Sequence, residues 1–377
     1  MTESAKVARR RTILAFDGGG VRGAFSVAFL ERIEALLGAG DGQPLARRID
    51  LAGGTSTGAI IAGAVALGYG AAEIRDFYLT LAPRIFRRSR FRLPGVQSVF
   101  DAAALKREIL TICGDRRLDS ADLLCGYALV MKRMDTGSAW IVSNNPAGRF
   151  WNDPADGSFI GNRHYRLADL IRASTAAPHY FQPHAISVAE NAPPGLFVDG
   201  GVTPHNTPAL ALLQMVTIPG YGYRWPLGAE RLRIISIGTG GFRDRLSSHR
   251  ARRMPSALLA MRALAGLIQD TQVQTLTLMQ MLGRPVVPQV INSEIGDMDG
   301  YLLPPDPLFE FLRYDIRLED DWLRDTLGVT LKPRDLMRLR QMDNPDIVPE
   351  AYALGQIAAE RLVRPEHFAP AAADLTR

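Results

Sequence analysis

Apolar and polar positions follow two rhythms along this chain. Thr12-Ile-Leu-Ala-Phe16 is a short apolar run that gives way to Asp17 and glycines, which reads as a buried strand. Beyond the glycines, Phe25, Phe29, Ile33 and Leu36 recur at helical spacing with Glu31, Arg32 and Glu34 between them, and Gly38 supplies a stop. A second strand is expected at Ile49 to Ala52 and a helix of small and aliphatic residues at Ala59 to Leu67. Strand, glycine turn and helix, twice in succession, predict an α/β fold with a largely parallel sheet.

The same reading places strands at Tyr127 to Met134 and Ala139 to Val142, around the turn Asp135-Thr-Gly-Ser138. It places a short helix at Leu167 to Ala173, and strands at Leu196 to Val198 and Arg233 to Ile237. A late strand is expected at Leu308 to Leu318 and an amphipathic helix at Glu350 to Val363. No repeat or low-complexity linker interrupts the chain, and Leu302 to Pro307 reads as a turn rather than a boundary. One domain over residues 1–377 is the expectation.

Composition narrows the class. The 377 residues are 47% hydrophobic and 22% charged, which supports a substantial core and excludes a disordered chain. A net charge of +5 suits anionic lipid surfaces without requiring them. Cys113 and Cys125 are too few for a disulfide framework and form no C-x-x-C pair. Reduced thiols and a cytoplasmic location are expected, since residues 1–11 lack the apolar core of an export signal. The uncharged stretch Leu51 to Ala72 is long enough to span a bilayer. Its many glycines favour a buried strand, turn and helix instead.

Two glycine-rich turns carry candidate chemistry. Gly54-Thr-Ser-Thr-Gly58 matches G-x-S-x-G between a strand and a helix. Such a turn presents a serine hydroxyl to substrate, and the glycines relieve its steric crowding. Ser56 is therefore the candidate nucleophile. In Asp17-Gly-Gly-Gly-Val-Arg-Gly23, successive glycines can aim backbone N–H groups at one anion. Arg22 adds charge to that loop or braces it. Gly18, Gly20 and Gly23 also fit the dinucleotide fingerprint G-x-G-x-x-G. That reading wants an acid at the end of the second strand, where this chain places Ser56. A nucleotide-binding oxidoreductase is thus the weaker alternative.

Ser56 needs a base. Asp199, at a strand end before Gly200 and Gly201, can take the proton directly; a triad through His205 or His249 stays open. The three motifs, in this order, resemble the patatin-like phospholipases. The likeness extends to Ala173-Ser-Thr-Ala-Ala-Pro178 and Ser236-Ile-Gly-Thr-Gly240. It covers roughly residues 10–240 as a catalytic core, with residues 241–377 completing the domain.

The resemblance implies a three-layer α/β/α fold and a Ser56–Asp199 dyad. It implies an oxyanion hole from Gly18, Gly19 and Gly20 beside Arg22, with Gly54, Gly58, Gly200 and Gly201 shaping the turns. It implies catalysis without calcium or cofactor on phospholipids or related acyl lipids; the same serine could pass its acyl group to an acceptor other than water. Where family members carry paired asparagines after the aspartate, this chain has Pro204-His-Asn-Thr-Pro208. Bacterial relatives of similar length suggest a small-molecule activator. Arg84-Ile-Phe-Arg-Arg-Ser-Arg-Phe-Arg92 is a candidate for peripheral membrane contact, and no nucleic-acid motif accompanies the basic charge.

Overall fold

The computed structural model describes residues 9–38, 42–86, 98–243, 249 and 252–368 of the chain. At its centre β1 (Arg11–Phe16) pairs in parallel with β2 (Leu51–Thr55) and with β7 (Leu232–Ile237). Around these lie β3 (Gly126–Arg133), β4 (Ala139–Ser143), β5 (His184–Ile186), β6 (Gly195–Asp199), β8 (Arg284–Pro285) and β9 (Glu310–Tyr314). The nine-stranded sheet runs β5-β6-β3-β2-β1-β7-β9-β8, with β4 paired to β3. Pairings on the β2, β1, β7, β9 side are parallel, and those that join β3, β4, β5 and β6 are antiparallel. The expected mainly parallel α/β sheet is present.

Alternation along β1 builds the layers. Leu14 and Phe16 face one core, and Ile13 and Ala15 face another, as successive strand side chains must. The larger core collects α1 (Gly23–Leu37), α2 (Thr57–Ala66), α3 (Ala71–Ile85), α4 (Ala102–Cys113) and α5 (Leu167–Ser174). The second face carries α6 (Ala209–Thr217) and the end of the long α7 (Ser256–Leu282). The short α8 (Pro333–Leu339) and the terminal α9 (Val348–Leu362) return to the first face, where α9 packs on α1. The result is three layers, α/β/α.

Two strands differ from expectation by more than one residue at an end. The second runs Leu51–Thr55 rather than Ile49 to Ala52, carrying two glycines into the sheet. Those glycines leave room for packing: a Cβ on Gly53 would lie 2.6 Å from the Leu212 side chain. The late strand is Glu310–Tyr314 only, because Asp315 turns its carboxylate to the Gly240 N–H at 2.9 Å and interrupts the ladder, which resumes only as an isolated bridge between Gly241 and Arg317. No described helix is long and apolar enough to cross a membrane, and Leu51 to Ala66 is β2 followed by α2. Of the arginine-rich segment, Arg84, Ile85 and Phe86 finish α3, and the remainder, 87–92, lies outside the described residues.

Candidate active site

Ser56 alone makes the turn between β2 and α2. Its φ of 55° and ψ of −124° are costly for a residue with a Cβ, and such strain persists only where the surroundings enforce it. Here they do. A Cβ on Gly54 would lie 2.1 Å from the Gly58 carbonyl, and one on Gly58 would lie 2.2 Å from the Phe16 carbonyl oxygen. Both glycines are thus required by close backbone crossings. Ser174 steadies the turn: its Oγ accepts the Ser56 N–H at 3.0 Å and donates to the Val130 carbonyl at 2.6 Å.

The antiparallel pairing of β6 with β3 sets Asp199 beside this turn. Ser56 Oγ donates to Asp199 Oδ2 at 2.6 Å. The other carboxylate oxygen accepts the Gly201 N–H at 2.7 Å, and the Asp199 N–H donates to the Ala176 carbonyl at 3.0 Å. Gly200 packs against the Val130 carbonyl, where a Cβ would come within 2.4 Å. Burial raises the Asp199 pKa to about 6, against the hydrogen bonds from Ser56 and Gly201 and the charge of Arg172. No histidine among the described residues hydrogen-bonds Ser56 or Asp199. His205 contributes its backbone carbonyl, which accepts from Thr55 Oγ1 at 2.6 Å; His249 is exposed. Hydroxyl and carboxylate meet without an imidazole between them.

The glycine loop lies against the same turn. Gly20 has φ +59°, and a Cβ there would lie 2.2 Å from the Met342 carbonyl oxygen. The Gly18 N–H, one of the three expected oxyanion donors, is already taken by the Asn206 carbonyl at 3.0 Å. The N–H groups of Gly19 and Gly20 have no acceptor among the described residues. Arg22 is buried, which lowers its pKa to about 10, and its Nε and Nη1 have no partner among the described residues. Its guanidinium lies 5.7 Å from the centre of the Phe242 ring, and Arg340 lies 5.0 Å from it.

Several residues that hold this loop carried no recognisable motif. Arg313 is fully buried and reaches both oxygens of Asp17, at 3.0 and 2.7 Å, as well as Asp315 at 2.6 Å and Ser236 at 2.8 Å. Thr207 donates to Asp17 at 2.9 Å, and Thr239 donates to the Gly18 carbonyl at 3.0 Å. Tyr78 from α3 donates its hydroxyl to the Gly20 carbonyl, and Thr57 Oγ1 donates to the same oxygen at 3.1 Å. The only local signal for Asn206 and Thr207 was the polar run before Pro208. Arg313 gave none, being one arginine in a strand.

Ser56, Asp199 and the loop open into a cavity of about 1460 Å³. Ile61, Ala64, Phe77, Leu81, Leu105 and Ile109 from α2, α3 and α4 form its apolar wall. An elongated apolar ligand fits that lining, with a polar end held at the serine.

The comparisons with known proteins point to one family. The family model "Patatin-like phospholipase" matches residues 14–213. A cUMP-AMP-activated phospholipase of Escherichia coli is 30% identical over 228 residues, covering 60% of this chain and 64% of that protein. A cGAMP-activated phospholipase of Vibrio cholerae is 27% identical over 243 residues, covering 61% of this chain and 64% of that one. The chain thus spans less than two thirds of these relatives' length. Among solved structures, the human GIVD cytosolic phospholipase A2 shares the fold at a TM-score of 0.51 and 13% identity, covering 98% of this chain and 60% of that one. The residues of the dinucleotide fingerprint form a loop folded beside the Ser56 turn, and with residues 14–213 of its 377 inside the family model, this chain belongs to the patatin-like phospholipases.

Proposed function

We propose that this protein is a lipid acyl hydrolase of phospholipase A type, with Ser56 as nucleophile and Asp199 as general base. The observation that carries the reading is the 2.6 Å hydrogen bond from Ser56 Oγ to Asp199 Oδ2 at the wall of a large apolar cavity. Ser56 Oγ attacks the ester carbonyl carbon as its proton passes to Asp199. The carbonyl electron pair moves onto oxygen, beside the N–H groups of Gly19 and Gly20, and such donors are each worth about 3 kcal/mol. Collapse breaks the ester bond, and the departing alcohol takes the proton from Asp199. Water then loses a proton to Asp199 and attacks the acyl-serine; collapse breaks the acyl–Oγ bond, Asp199 returns the proton to Ser56 Oγ, and the fatty acid is released. A carboxylate with a pKa near 6 suits this work: it is ionised at neutral pH yet a stronger base than an ordinary aspartate.

The apolar wall supports a phospholipid or related acyl lipid as substrate. The names of the bacterial relatives support a small-molecule activator as a partner. The test pairs fluorophosphonate labelling with product analysis on phospholipid vesicles, in the presence and absence of cyclic dinucleotides. Wild type should label and release fatty acid, Ser56→Ala should do neither, and Asp199→Asn should lose turnover. Near-wild-type turnover in Asp199→Asn would rule out the direct carboxylate base.

A further inference from the structure

Several of the large apolar side chains left in water belong to the lining of one cavity. Met134, Val202, Leu259 and Leu267 are 52%, 46%, 44% and 56% exposed, and all four line the cavity above Ser56. They form an apolar rim around its opening. Leu258, next to Leu259, is 47% exposed, and Ala260 and Ala263 on the same opening turns of α7 are exposed as well. Arg252 and Arg253 lie exposed five to seven residues before these leucines, ahead of α7, and Arg243, paired with Glu319 at 3.6 Å, lines the cavity nearby. Asp270 is an exposed acid further along α7.

We propose that this rim, with the first three turns of α7, is a docking surface for an anionic lipid bilayer. A ring of half-exposed leucine, valine and methionine gains from entering an acyl layer, as amphipathic interfacial helices do. The arginines at its edge meet anionic headgroups, each worth about fivefold in affinity. Docked this way, the cavity opens into the bilayer, and an acyl chain passes from lipid to the apolar wall without crossing water. A second copy of the chain on the same rim would instead close the opening. The inference rests on the lipid-hydrolase reading only for the identity of the occupant.

The experiment measures co-sedimentation of full-length Ser56→Ala protein with phosphatidylglycerol/phosphatidylcholine vesicles, so that binding is read without turnover. Leu258→Asp/Leu259→Asp in that background is expected to weaken binding about tenfold or more. Arg252→Gln/Arg253→Gln is expected to weaken it about 25-fold, to flatten its salt dependence, and, with Ser56 restored, to leave hydrolysis of a soluble short-chain ester unchanged. Circular dichroism melting confirms that each variant is folded. Equal binding by all variants, or no binding by the parent, overturns the proposal. So does light scattering that shows a dimer which the leucine substitutions convert to monomer. Vesicle binding by a wild type that hydrolyses nothing would leave the docking surface standing and remove the hydrolase reading alone.

Discussion

Asp199→Asn should make this protein inactive and more stable at the same time. Burial holds the Asp199 carboxyl at a pKa of about 6 against an ordinary value of 3.8. The folded state therefore binds that proton more tightly than the unfolded chain, so ionising the group costs stability. The cost is absent below the unfolded value, grows as pH rises from 3.8 to about 6, and is complete above. Its size is about 3 kcal/mol at pH 8, from 1.36 kcal/mol for each pH unit of displacement. Asparagine keeps the shape, can accept from Gly201 N–H and can donate to Ser56 Oγ, but carries no charge. Equilibrium urea unfolding at pH 8 should show the variant about 3 kcal/mol more stable, a midpoint shift on the order of 1 M. At pH 5 the wild type is already mostly protonated at this site, and about half the gain should remain. An equal or lower midpoint for the variant at pH 8, or a gain that does not shrink at pH 5, would refute the reasoning.

Three further outcomes follow from the same geometry. For the wild type, kcat/KM on a soluble ester should rise about tenfold per pH unit up to about 6 and then level off; a flat profile between pH 5 and 7 excludes Asp199 as the proton acceptor. Tyr78→Phe removes one of the two hydroxyls on the Gly20 carbonyl, so kcat should fall about tenfold with KM unchanged; a matching rise in KM would mark Tyr78 as cavity wall only. Arg313→Met leaves Asp17 and Asp315 without their buried counter-charge and should cost about 3–5 kcal/mol in urea unfolding. Arg313→Lys should recover part of that loss, and full stability in Arg313→Met would show the pair to be dispensable.

What could be read from the chain alone was whatever a short segment encodes by itself. Ser56 announced itself because a strand-to-helix turn needs Gly54 and Gly58 within four residues. The glycine loop did so because its backbone needs missing side chains. Asp199 was legible as an acid at a strand end before two glycines. The braces were not legible, because Arg313 meets Asp17 across 296 residues of chain and such a contact leaves no periodic trace. The same limit explains the assignment of Gly18 as an oxyanion donor. Its N–H is taken by Asn206, 188 residues away, and only the fold reveals that pairing. Helices α3 and α4, which wall the cavity, escaped notice because the side chains of an apolar pocket are chemically those of a core.

The glycine loop also sets when this protein can work. The loop is built from residues 17–23, yet Val21 donates to the Met342 carbonyl at 3.0 Å and Asp17 waits for Arg313. A ribosome thus delivers Ser56 long before the parts that shape its surroundings. With Ser56 acting as proposed, nascent chains that have not yet emerged as far as residue 342 should show no esterase activity.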